Sequence, residues 1–164
     1  MMAEKWHNCN PVRLCNMSIM AFIVWMFLGC APAGAADWRF YTETESEDMK
    51  FYYDADSITH LSESLIKVRI REVYISESGK HEIVEIRKAH GLPTEGFENF
   101  HYAVEVWVIN CTDKTHRPLS VEYYNDRNSV LDSEYSGSGS WSPIVMDSAG
   151  EELYEILCWN TRYW

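Results

Sequence analysis

The chain has 164 residues, a formal charge of −11, 46% hydrophobic residues and 14% aromatic residues. That length fits one domain behind a removable leader. An acidic body repels phosphate backbones, which excludes nucleic acid as a partner class.

Residues 1–36 read as a signal peptide or leader, and residues 37–164 as the single domain. Lys5 and Arg13 form a basic flank, Met17 to Leu28 is an uncharged apolar run, and Ala33-Gly34-Ala35 is an Ala-x-Ala cleavage site. The run is shorter than the ~20 residues of a comfortable membrane span. Three fates are open to the leader. Cleavage after Ala35 is favoured by the clean site. Lipidation at Cys30 is the second, because Phe27-Leu28-Gly29-Cys30 resembles a lipobox with Phe where Leu is usual. Retention as an anchor is the third. The expected location is the periplasm or the cell surface, with membrane contact only through the leader or a lipid on Cys30.

Cys9, Cys15 and Cys30 lie in the leader, which leaves Cys111 and Cys158 as an even pair in a chain bound for an oxidising space. A disulfide between them is the expectation, and two buried free thiols are the alternative. With no Cys-x-x-Cys, neither a zinc ribbon nor a thioredoxin-like site is indicated.

In chain order, Asp37 to Tyr41 reads as a short strand with Trp38 and Phe40 on one face. The acidic Thr42 to Asp48 stretch suits a solvated loop or strand edge. Met49 to Asp54 is a second strand, and Asp54-Ala55-Asp56-Ser57 turns the chain. Leu65 to Ile75 alternates, with Ile66, Val68 and Ile70 inward and Lys67, Arg69 and Arg71 outward. The phase slips at Arg71-Glu72, as at a β-bulge, so that Val73 and Ile75 resume the inward face. Lys67, Arg69 and Arg71 form a basic stripe on an acidic protein. It is either a solvated face neutralised by neighbouring Glu or a strip that meets a partner.

Ser76 to Lys80 reads as a turn. Ile83, Ile86 and His90 then fall at helical spacing, which predicts a short helix over His81 to His90 stopped by Gly91 and Pro93. Tyr102 to Cys111 is apolar on both faces, with Val104, Val106 and Val108 on one and Trp107, Ile109 and Cys111 on the other. That is the pattern of a central strand. Thr112 to Pro118 is a polar connection. Leu119 to Tyr124 and Ser129 to Tyr135 are two strands around the Asn125 to Asn128 turn. Ser136 to Ser140 is a Gly/Ser loop, followed by an extended piece from Trp141 to Ile144. Ser148-Ala149-Gly150-Glu151 has capping-box spacing, so a helix begins at Ala149 with Leu153, Ile156 and Leu157 as its apolar stripe. It brings Cys158 toward Cys111. Trp159, Tyr163 and Trp164 form an aromatic tail that either packs down or serves as a contact patch.

The fold class is therefore α+β. A single antiparallel sheet carries a C-terminal helix tethered by the disulfide, with one short helix between strands. No catalytic motif is present, the histidines of the body lack metal-ligand spacing, and no cofactor fingerprint occurs. The expected catalytic, cofactor and metal residues are none.

Trp38, Asp54 with Ser57-Ile58, Asn110-Cys111, Leu119-Ser120, Trp141 before a Pro-containing segment, and Ser148 ahead of Tyr154 and Cys158 occur in a recognisable order. In this order and spacing the chain, from Trp38 to Cys158, resembles the surface-adhesin protein E-like domain of Gram-negative bacteria. The resemblance implies an antiparallel sheet whose concave face takes a disulfide-tethered C-terminal helix. It also implies an exported, surface-associated binding protein, sometimes lipid-anchored. The expected function is a non-enzymatic binding module for a protein or cell-envelope component. Its contact candidates are Lys67, Arg69, Arg71, Trp159, Tyr163 and Trp164. A structural or stress-related envelope protein without a dedicated ligand is the alternative.

Overall fold

Apolar residues at alternate positions give each strand one face to bury, and here those faces share a single antiparallel sheet. The computed structural model describes residues 36–44, 48–135, 137 and 139–159. The strands are β1 (Trp38–Glu43), β2 (Met49–Asp54), β3 (Thr59–His60), β4 (Leu65–Tyr74), β5 (Phe100–Asn110), β6 (Thr115–Asn125), β7 (Val130–Tyr135) and β8 (Ser142–Pro143). Their order is β1-β2-β4-β5-β6-β7, a meander, with β3 paired to β4 and β8 paired to β6. Helix α1 (Glu77–Ala89) joins β4 to β5. Helix α2 (Ala149–Tyr154) follows β8 and continues into a wider π-helical turn, Glu155–Trp159. The leader, Cys30, Tyr163 and Trp164 lie outside the described residues.

Both helices pack on the same face. Ile66, Val68 and Ile70 of β4 and Ile109 of β5 meet Leu153, Tyr154, Leu157 and Cys158 of the C-terminal segment. Val68, Ile109 and Leu153 are fully buried, so the interface between α2 and the sheet is filled. Farther along the same face, Tyr74, Phe97, Phe100 and Ala103 form a second cluster against Ile83 and Val84 of α1. Cys111 and Cys158 are joined by a disulfide with an S–S distance of 2.04 Å. Beside it the Tyr154 hydroxyl donates to the Cys111 carbonyl at 3.0 Å. The cross-link thus joins the end of a central strand to the last helical turn.

The start of α2 follows from its cap. The Ser148 hydroxyl accepts from the Glu151 N–H, which satisfies a donor that has no intrahelical partner. The Glu151 carboxylate reaches back to the N–H of Asp147 rather than that of Ser148.

Three expectations are corrected. No bulge interrupts β4. Its pairings with β2 and β5 run in continuous register through Arg71 and Glu72. Glu72 therefore takes the inward place, Tyr74 is buried and Ile75 is exposed. Tyr74 joins the buried cluster with Phe97, Phe100 and Ala103, and its hydroxyl donates to Glu72. Helix α1 begins at Glu77, a turn earlier than expected, because the Ser76 side chain caps it through Gly79. Its inner face is Ile83, Val84 and Arg87, while Ile86 is exposed. Finally, β6 starts at Thr115 and runs through Pro118. Pro118 is accommodated at a bulge where Leu119 has no partner on β5, so the missing N–H breaks no regular ladder.

Candidate functional site

Because Ile66, Val68 and Ile70 face the helices, Lys67, Arg69 and Arg71 must face the opposite side of the sheet, which no helix among the described residues covers. There Lys67 lies beside Val108, Arg69 beside Val106 and Arg71 beside Val104. On the other flank of β5, Arg117 pairs with Val108. The three valines of the central strand thus have cations along the β4 flank, while on the β6 flank Val106 faces Ser120 and Val104 faces Glu122, which accepts from the Tyr124 hydroxyl.

Aromatic rings organise these cations. The Arg71 guanidinium lies 4.6 Å from the Trp38 ring centroid, 5.1 Å from Tyr52 and 5.7 Å from Tyr102. Arg69 also lies over Trp38, at 5.5 Å. Arg117 lies over Trp141 at 4.9 Å. Tyr102 in turn stacks on Tyr124, with centroids 4.8 Å apart and planes 6° from parallel. Cation–π attraction of this kind fixes a flexible cation without neutralising it.

The two arginines of β4 differ in their electrostatics. Asp54 is buried, accepts from the N–H groups of Asp37 and Asp56, and lies 3.5 Å from Arg69 Nη1. Arg69 is therefore partly committed to holding the turn after β2, and its own N–H donates to the Ser57 hydroxyl. Arg71 has no carboxylate within ion-pair distance among the described residues. Its Nε is buried without an acceptor. Burial pushes its pKa below the ordinary arginine value, although Tyr102 and Tyr52 oppose the shift.

The helix-bearing face carries a different irregularity. Glu72 and Glu105 stand at diagonal positions of β4 and β5, between the two apolar clusters. The Tyr74 hydroxyl donates to Glu72, and the Trp107 indole N–H donates to Glu105. Burial, and secondarily the nearby Glu105 charge, push the Glu72 carboxyl up to about 8. Burial also raises Glu105. The folded state thus keeps a proton on Glu72 that the unfolded chain releases near 4.5. The folded state binds more protons across that window, so stability falls as pH rises from about 4.5 to about 8. Glu72→Gln mimics the protonated form. Its thermal midpoint, measured against wild type across this range, is expected to gain on wild type as pH rises. A constant difference would contradict the assignment.

A third feature is an open cavity of about 690 Å³ at the disulfide, lined by His60, Glu63, Ser64, Cys111, Thr112, Lys114, Tyr154 and Cys158. It lies at the rim of the sheet–helix interface rather than within it. Among the described residues no group of three or more His, Cys, Asp or Glu could hold a metal ion.

The structure therefore brings Lys67, Arg69 and Arg71 together on one surface. It does not bring Trp159 to them. Trp159 is exposed at the end of the segment packed on the other face. The residues that the sequence reading missed are the rings around Arg71. Trp38, Tyr52 and Tyr102 come from three strands, and only the pairing register reveals that they share a side chain's surroundings.

The family model described as Surface-adhesin protein E matches residues 38–159. No curated protein and no solved structure matches the chain.

Proposed function

The chain belongs to the surface-adhesin protein E family, and from that premise we propose that it is an exported, non-enzymatic binding module of the bacterial envelope. Its partner is a protein or cell-envelope component that docks on the uncovered face of the sheet. The observation that carries this reading is the division of labour between the faces. One is closed by α1 and a disulfide-tethered α2, while the other presents arginines set among aromatic rings. The family supports binding over catalysis, and the disulfide supports an oxidising destination. No helix among the described residues is long and apolar enough to cross a membrane, and the attachment proposed is through the leader or a lipid on Cys30.

The test is direct. Protein purified after export is immobilised and exposed to matrix proteins, peptidoglycan and envelope extracts. Saturable binding to one of them is expected. Absence of any such binding, with a deletion strain altered in envelope integrity but not in attachment, would instead establish a structural envelope role.

A further inference from the structure

Arg71 differs from Arg69 on this face, and shares its buried, acceptor-less Nε with Arg117, but it has three rings around it where Arg117 has Trp141. Arg69 has Asp54 as a partner. Arg71 has three rings and no carboxylate among the described residues, and its Nε reaches no acceptor. A guanidinium has five N–H donors in a fixed planar fork and no capacity to accept. Aromatic faces satisfy its charge in part but leave those donors unfilled. A cation that is half-buried, immobilised and without a counter-ion costs stability in the free protein. The same arrangement favours binding, because the rotamer entropy that docking would remove is already lost.

We propose that Arg71 is the anchor of a protein–protein contact and receives an acidic side chain of the partner. The inference rests on the reading that the uncovered face binds a partner, and it names that partner's chemistry. A planar carboxylate matches the guanidinium fork in a bidentate pair. The surroundings are those of a protein interface. Trp, Tyr and Arg dominate binding hot spots, and Trp38, Tyr52 and Tyr102 surround Arg71, with Arg69 sharing Trp38. Net charge argues against a long polyanion. A chain at −11 repels an extended acidic glycan or an anionic membrane as a whole. A short acidic segment can offer its charge along the β4 side, where the arginines stand, and away from Glu122 on β6, whose carboxylate already accepts from Tyr124.

The probes are a short synthetic peptide alternating Glu with Ala, its Gln-for-Glu counterpart, heparin, and vesicles of phosphatidylglycerol. Each is titrated against the exported protein and against Arg71→Lys and Arg71→Ala. Binding of the Glu peptide is expected to exceed that of the Gln peptide and to weaken by roughly tenfold or more in both variants, the size of a lost charge-assisted hydrogen-bond pair. Lys67→Ala should change it by about threefold or less, as a peripheral charge does. Arg71→Lys keeps the charge and much of the stem, and its circular dichroism reports whether the fold is intact. Guanidinium NMR resonances of the wild-type protein give a second readout, since the Arg71 signal should shift on adding the Glu peptide. Equal binding by wild type and Arg71→Lys would overturn the proposal. So would indifference to Glu against Gln, or binding of heparin or vesicles only. Any of these could occur while the protein still captures a matrix or envelope component, so the two readings fail separately.

Discussion

Replacing Cys158 with Ser should lower stability by about 4 kcal/mol at most, the chain-entropy value for a loop of this length. The two cysteines are 47 positions apart, so the bridge removes a large set of unfolded conformations. Its loss should not be felt uniformly. The contacts of Leu153, Tyr154 and Leu157 with Ile66, Val68 and Ile109 remain, but only the short α2 and one wider turn carry them. Segment 149–159 should therefore open before the sheet melts. Limited proteolysis with and without reductant, read by mass spectrometry, would show early cleavage there. The thermal midpoint should fall by roughly 10–20 °C. An unchanged midpoint together with unchanged protease resistance would contradict the tether as a stabilising element.

The second large effect is expected at Arg87. This side chain is 2% exposed and donates to the Pro93 carbonyl at 2.9 Å, to Glu134 at 3.0 Å and to Asp132. Its guanidinium also lies 4.3 Å from the Phe97 ring centroid and 4.9 Å from that of Tyr123. It fastens α1 to the edge strand β7 and closes the second apolar cluster. Arg87→Ala removes the stem, the stack and the counter-charge of two carboxylates. A loss of about 3 kcal/mol is expected, at the low end for a broken buried pair because both acids are partly solvated. Arg87→Met restores apolar volume over the rings and should recover part of the loss. Chemical denaturation of the three proteins would separate packing from charge. If Met were as damaging as Ala, the ion pairs rather than the stack would hold the helix.

Arg87 also shows where sequence reading stops. Helical spacing picked out Ile83, Ile86 and His90 and passed over Arg87, because a charged residue is not expected to point inward. The acids that make Arg87 welcome there lie on β7, more than forty positions away, and periodicity does not see them. Glu72 misled in the same manner. A lone carboxylate in an apolar alternation looked like a slip of register, whereas the chain keeps its register and the carboxylate keeps its proton. By contrast, β2, the central β5, the cap of α2 and the disulfide were legible, since each depends on neighbours a few residues away or on a simple count of cysteines. The basic stripe of β4 was legible as a stripe. That Arg71 differs from Arg69 was not, because the difference is made by Trp38, Tyr52, Tyr102 and Asp54 on other strands.

The position of α2 bears on the order in which the protein can be completed. Every strand precedes Ser148 in the chain, so as the exported chain folds the sheet can pair while the side bearing Ile66, Val68 and Ile109 is still wet. An apolar strip of that kind is an invitation to self-association until its cover arrives. The folding chain is therefore most vulnerable until α2 docks, and the bridge from Cys158 to Cys111 is what makes that docking permanent.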